Sequence, residues 1–149
     1  MPKSLPFALL YISRNAVPDA SREQEIARIL EVSLRHNRAH SVTGALVSTQ
    51  AHYAQVLEGP REAVLALMAR INADPRHRDV SIMAEEILPQ RSFPRWSLAH
   101  IGNCDRLEEA IGRLASDAQA SQGAMVWPLW QLMSELAYAQ FKSDPTRST

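Results

Sequence analysis

The alternation of apolar and polar positions divides the chain into short continuous apolar runs, which predict strands, and stretches with apolar residues three and four apart, which predict helices. Phe7 to Ile12 is the first run, and the Asn15 to Ala20 loop with its Pro18-Asp19 pair ends it, so it reads as a strand buried on both faces. Ser21 and Gln24 form an S-x-x-Q capping box, and Ile26, Ile29, Leu30 and Ser33 follow at helical spacing as far as about Asn37. Thr43 to Ser48 and His52 to Glu58 predict a hairpin turning at Thr49-Gln50-Ala51. Pro60 stands at the first position of a second helix with the core stripe Val64, Leu67, Met68 and Ile71, which Asp74-Pro75 stops. Val80 to Ile87 predicts a fourth strand and, past the Pro89 to Pro94 loop, Ser97 to Ile101 a short fifth. Leu107, Ala110, Ile111 and Leu114 mark one terminal helix, and Leu129, Leu132, Met133, Leu136 and Phe141 another, with Ser116 to Val126 between them.

The resulting order, βαββαβ plus one strand and two helices, predicts an α+β fold of ferredoxin-like type. In that arrangement the first and third strands are central neighbours and both crossover helices lie on one sheet face, which leaves the terminal helices to cap the other. Residues 1–101 form the core domain on this reading, and residues 102–149 a helical extension that packs on it.

Composition narrows the function classes. A chain of 149 residues has room for one full core but not for a receptor domain plus a separate catalytic domain, so output is expected through a partner. Sixteen Lys and Arg balance sixteen Asp and Glu, which supplies no positive field for a nucleic-acid backbone or a membrane surface. The single cysteine, Cys104, excludes an internal disulfide and a multi-cysteine metal site, and no apolar run approaches the length of a membrane span. A cytoplasmic location is expected.

The informative feature is polarity at core positions. Ile29, Ser33 and Asn37 are four apart, so the first helix's buried stripe turns polar toward its C-terminus. On the third strand Tyr53, Gln55 and Leu57 share one face; on the first, Phe7, Leu9 and Tyr11 do. Central pairing of these strands brings Tyr11 and Gln55 together under the helices, within reach of Ser33 and Asn37. Unpaired, each buried amide or hydroxyl would cost about 1 to 3 kcal/mol, so the group must satisfy itself or a ligand. Pattern alone leaves both readings open, though the donor and acceptor set suits a heterocycle with alternating carbonyl and N–H edges. His36 and His40 have helix-face ligand spacing but no third ligand nearby, and Arg76-His77-Arg78 suits either a phosphate or a solvated helix end. Trp96, Trp127 and Trp130 read as packing residues.

These residues are also where the sequence resembles the BLUF domains, blue-light sensors using FAD. The resemblance rests on an ordered series: Tyr11 with Ser13-Arg14, Ser33 to Asn37 with His36, Val42-Thr43-Gly44, Gln55 to Pro60, Asp74-Pro75-Arg76-His77, and Phe93 to Ser97 around Trp96. It implies that Tyr11 is the photochemical tyrosine and Gln55 the amide that rearranges, by rotation or tautomerisation, when the flavin is excited. It further implies that Asn37 bonds the pyrimidine edge of the ring, that Ser33 is a hydroxyl near Trp96, and that Ile29 and Ile71 clamp the ring. His36, Arg76 and His77 would line the ring and the ribityl-phosphate entrance, and Trp96 and Leu98 would relay the signal. Leu98 departs from the methionine common at that position but matches its bulk.

On this resemblance residues 1–101 hold a noncovalent flavin, FAD with FMN or riboflavin as alternatives, and the chain is a receptor, not an enzyme. The implied partners are a downstream regulator or enzyme and further copies of the chain, paired as a homo-oligomer through the apolar sheet face or the terminal helices. Two rival classes are a light-insensitive interaction module and a small enzyme, either flavin-dependent or hydrolysing acyl phosphates, because the fold alone fixes no function.

Overall fold

A computed structural model describes residues 5–102, 104–116 and 122–141; for 122–125 and 141 the backbone alone is described. Five strands, β1 (Phe7–Asn15), β2 (Thr43–Ser48), β3 (His52–Gly59), β4 (His77–Ile87) and β5 (Ala99–Ile101), form one sheet in the order β4-β1-β3-β2-β5. The helices are α1 (Arg22–Ala39), α2 (Arg61–Ala73), α3 (Asp105–Ser116) and α4 (Gln122–Phe141). The first four strands are antiparallel to their neighbours, and β5 joins the open edge parallel to β2. This is the expected βαββαβ arrangement, with β1 and β3 central.

Alternation along the strands sends side chains to two cores. Phe7, Leu9, Tyr11 and Leu57 pack under Val64, Leu67 and Met68 of α2, and Leu46, Tyr53 and Leu98 pack under Ile26 and Ile29 of α1. On the opposite face Ala8, Leu10, Ile12, Ala54 and Val56 meet Leu107, Ile111 and Leu114 of α3 and Leu129 and Met133 of α4. Burying each large side chain contributes about 1.5 to 3 kcal/mol before entropy is counted. The terminal helices therefore cover the sheet face that was expected to pair copies of the chain, and that route to an oligomer is closed among the described residues.

Several boundaries differ from those the apolar pattern gives. β1 runs on through Ser13, Arg14 and Asn15, and β4 begins at His77, because these polar residues pair with one another and with β3 through main-chain bonds that need no apolar side chain. Ser21 makes no side-chain cap: a 3-10 turn over Asp19–Ser21 leads into α1 and gives Ser21 near-helical dihedrals (φ −107°, ψ 0°), unlike a capping residue. Pro60 is the residue before α2 and not its first, with extended ψ of 132°. β5 is two residues shorter than expected, because the carbonyls of Trp96 and Ser97 go to the Gly44 N–H and the Asn37 side chain. α4 starts before Val126 and carries Pro128 inside it; residues 117–121 of the expected connection lie outside the described residues, as does the side chain of Phe141. Trp130 is buried as expected, whereas Trp127 is 44% exposed and only stacks on it.

Candidate functional site

Tyr11 of β1 and Gln55 of β3 stand opposite each other in the ladder, on the face beneath α1 and α2. The Tyr11 hydroxyl donates to Gln55 Oε1 at 2.5 Å, a short bond between a fully buried phenol and an amide that is 5% exposed. Burial, and then the neighbouring Tyr53 and Asp74, hold the Tyr11 pKa well above 10.0, so the ground-state phenol keeps its proton. Accepting through Oε1 leaves the amino end of Gln55 available to a neighbour other than Tyr11.

A cleft of about 140 Å³ opens between α1 and α2 above this pair. Ile29, Ser33 and His36 of α1, Leu67, Arg70 and Ile71 of α2, Leu46 and Gln55 of the sheet, and Asp74, Arg76 and His77 beyond α2 line it. Asn37, one position past His36, is fully buried; Nδ2 donates to the Ser97 carbonyl at 2.8 Å, and Oδ1 has no partner among the described residues. Thus Tyr11 and Gln55 bond each other, Ser33 shares the cleft with Gln55, and Asn37 is committed to the segment before β5.

The rim is charged but largely neutralised. The Arg76 guanidinium meets Asp74 at 2.7 Å and Glu25 at 3.5 Å. Burial would raise the Asp74 pKa, but hydrogen bonds from Arg76 outweigh it and hold the carboxyl below its usual value. His77 Nδ1 lies 2.8 Å from Ser13 Oγ, and its ring rests 4.4 Å from that of Tyr53. Burial carries the His77 pKa down to about 4, only partly opposed by Asp74, so the imidazole is neutral at physiological pH. His36 Nδ1 lies 2.8 Å from Arg70 Nη1, and its ring touches His40 at 4.3 Å.

Trp96 and Leu98 lie on opposite sides of the sheet. Leu98 packs with Ile29 and Leu46 beside the cleft, whereas Trp96 sits in the core under α4, its ring 4.6 Å from that of Tyr138. Trp96 thus packs with the α3–α4 core and not with the cleft residues around Ser33; residues 96 to 98 precede β5 and do not follow strand alternation, which would have put both side chains on one face.

Among the lining residues, sequence reasoning gave no site role to Val32, Leu46, Leu67, Arg70 and Asp74. Arg70 and Asp74 fall outside the apolar stripe, the first on the exposed flank of α2 and the second past its end. Tyr53 was placed on the correct face but given no part in the site; its hydroxyl is buried without a partner among the described residues, and burial pushes its pKa to about 12.

Two helices thus stand over a central β1–β3 pair and enclose a buried tyrosine–amide bond in a small α+β domain. The chain matches the family of sensors of blue-light using FAD (BLUF) over residues 7–99, and it belongs to that family. BLUF domains are flavin-binding sensors. The photoactivated adenylate cyclase subunit beta of Euglena gracilis is 36% identical over 91 residues, 60% of this chain and 10% of that protein. The blue light- and temperature-regulated antirepressor BluF of Escherichia coli (strain K12) is 32% identical over 82 residues, 55% of this chain and 20% of that protein. The match thus spans only a tenth to a fifth of these curated relatives. The dark-state structure of the BLUF protein BlrB aligns with a TM-score of 0.67 and 29% identity over 83% of this chain and 92% of that one. A bacterial light-regulated adenylyl cyclase aligns with a TM-score of 0.65 and 25% identity over 89% of this chain and 40% of that one.

The residues present suit a flavin. The unpartnered Asn37 Oδ1 is an acceptor of the kind a ring N–H requires, and the amino end of Gln55 is a donor for a carbonyl or ring nitrogen. Ile29 and Ile71 supply apolar walls on the two sides of the cleft. Among the described residues no helix is long and apolar enough to cross a membrane.

Proposed function

We propose that this chain is a blue-light receptor which holds FAD noncovalently between α1 and α2 and passes the light signal to a partner protein. The observation that carries the reading is the 2.5 Å bond from Tyr11 to Gln55. When bound, the flavin supplies the absorption of blue light and, once excited, an acceptor for one electron. Tyr11 would supply that electron together with its hydroxyl proton, for which the prepared destination is Gln55 Oε1. Electron and proton would both return to Tyr11, so nothing would be consumed. The amide would be left with donor and acceptor ends exchanged, by rotation or tautomerisation, which rewires its bonds without changing charge.

Asn37 would hold the pyrimidine edge, and Ile29 and Ile71 the ring faces; Ser33, His36, Arg76 and His77 would line the ring and the ribityl entrance. Because Asp74 and Glu25 occupy its guanidinium, Arg76 orders the rim more than it supplies net charge. Residues 1–101 would be the sensing part and residues 102–149 the transmitting part, with Trp96 and Leu98 joining them. The chain would act without catalysis of its own, as a homo-oligomer through its terminal helices or bound to a regulator or enzyme. FMN or riboflavin in place of FAD would leave this mechanism unchanged, since no step uses the adenylate.

The test is an absorption spectrum of the purified protein in darkness and after a blue flash. An oxidised-flavin spectrum that shifts slightly to the red and recovers in the dark supports the receptor. Failure to take up any flavin on reconstitution would favour an interaction module, and bleaching with an added reductant would favour a redox enzyme. In Gln55→Leu the flavin should remain bound and the red-shifted form should not appear; an undiminished shift there removes Gln55 from the switch.

A further inference from the structure

Glu58 is a buried carboxylate that the photochemistry does not use. It lies on β3 three residues after Gln55, fully buried and on the opposite face of the sheet. Its Oε1 accepts from the Phe93 N–H at 2.6 Å and from Thr43 Oγ1 at 3.1 Å, and Oε2 accepts from the Ser92 N–H at 2.7 Å. Arg91 closes the group from outside, donating to Thr43 Oγ1 at 3.0 Å. Both carboxylate oxygens thus end on the segment that leads from β4 to β5.

That segment is attached to α4 and to the cleft at different points. Ser92 Oγ accepts from the Trp130 indole N–H at 3.1 Å, Phe93 is fully buried in the α3–α4 core, and Trp96 meets Tyr138. Further along, the Ser97 carbonyl accepts from Asn37 and Leu98 lies beside Ile29. One end is therefore pinned to β3 and α4, and the other reports on the cofactor face. If the pinned end could slide, a displacement at Asn37 or Leu98 would be absorbed along the segment before it reached α4.

We infer that Glu58 is a positioning residue for signal transmission, holding residues 92 and 93 against β3 so that a change at the cleft end of the segment is delivered to Trp130 and Tyr138 of α4. The inference rests on the receptor reading above and adds a residue that the photochemical steps do not require. Charge-assisted bonds to two backbone N–H groups are the strong kind, and an amide in the same place has only one oxygen with which to accept.

The experiment uses the full chain reconstituted with FAD, and compares the original protein with Glu58→Gln and with Ser92→Ala, which leaves Glu58 intact but removes the acceptor of the Trp130 indole. Each is measured in darkness and under blue light by flavin absorption and by amide hydrogen exchange of α4. The expected result is an unchanged red shift of the flavin in both variants, together with loss of most of the light-induced change in α4 exchange. A light response of α4 equal to that of the original protein in the two variants overturns the inference, and so does loss of the flavin red shift itself, which would put Glu58 in the photochemistry. If Glu58→Gln does not fold, Thr43→Val, which removes the side-chain donor to Glu58 Oε1, takes its place with the same expected and overturning outcomes. Absence of any light effect in the original protein is a different failure, that of the receptor reading.

Discussion

Two buried tyrosines lie on the same face, and their hydroxyls have opposite circumstances. Tyr11 donates to Gln55, whereas Tyr53 has no partner among the described residues. Oxidising a phenol is easy only when its proton has somewhere to go, so on the proposed reading Tyr11 would be the productive donor and Tyr53 would not. Tyr11→Phe should therefore keep flavin and lose the red-shifted state, while Tyr53→Phe should keep both and gain about 1 kcal/mol of stability by removing an unsatisfied hydroxyl; flash absorption and urea unfolding check the pair. His77 gives a pH prediction. Its folded pKa of about 4 lies below the ordinary 6.5, so between those values the unfolded chain takes up a proton that the folded one refuses. Stability should be level above about pH 7 and fall by up to about 3 kcal/mol on going down to pH 4. His77→Gln should flatten that slope in denaturant titrations across the range. At this scale the sequence was readable where periodicity applied: two-residue alternation put Tyr11 and Gln55 together, and four-residue spacing put Ser33 in the cleft. It was silent on which polar groups pair: the bond from Asn37 to the Ser97 carbonyl is one that no side-chain pattern announces.

Among the elements, β2 shows why a single small residue is required. A Cβ on Gly44 would fall on the Val56 carbonyl oxygen, far inside contact distance, and the neighbour is backbone that cannot swing aside. The Gly44 N–H also holds the Trp96 carbonyl. Gly44→Ala should accordingly cost at least about 3 kcal/mol, at the severe end for single substitutions, and loosen β5 as well; thermal unfolding and hydrogen exchange at residues 96–101 would show it. Helices and central strands were legible because each carries an apolar stripe. The ends of β1 and β4 were not, since Ser13 to Asn15 and His77 to Arg78 join the sheet through main-chain bonds. β4 also hides a bulge: its register against β1 slips twice, and Asp79 takes a left-handed φ of 54°. Nothing in the side-chain pattern announces such a slip.

For the molecule as a whole, the two sheet faces divide the labour, one holding the cleft and the other covered by α3 and α4. A chain ending at Ile101 would uncover Ala8, Leu10, Ile12, Ala54 and Val56 together, an apolar patch of the kind that drives self-association. Such a truncation should sediment as dimers or larger species even where the full chain does not, and a monomer of the truncated form would contradict this account of the cap. The layer arrangement followed from the order of elements alone; the split of Trp96 and Leu98 between the layers did not, because it depends on the turn that precedes β5. The parallel pairing of β5 with β2 has a kinetic side. Ala99 must find Ala45 across a stretch of chain that includes β3, α2 and β4, and such distant contacts close slowly compared with the β2–β3 hairpin. Leu98, which packs on Ile29 and Leu46, and the acceptor for Asn37 ride in with that strand, so the packing behind these cleft residues is the last to arrive. On the ribosome and in refolding alike, the expected order is a four-stranded sheet first, with the fifth strand docking last and settling the helix that it braces.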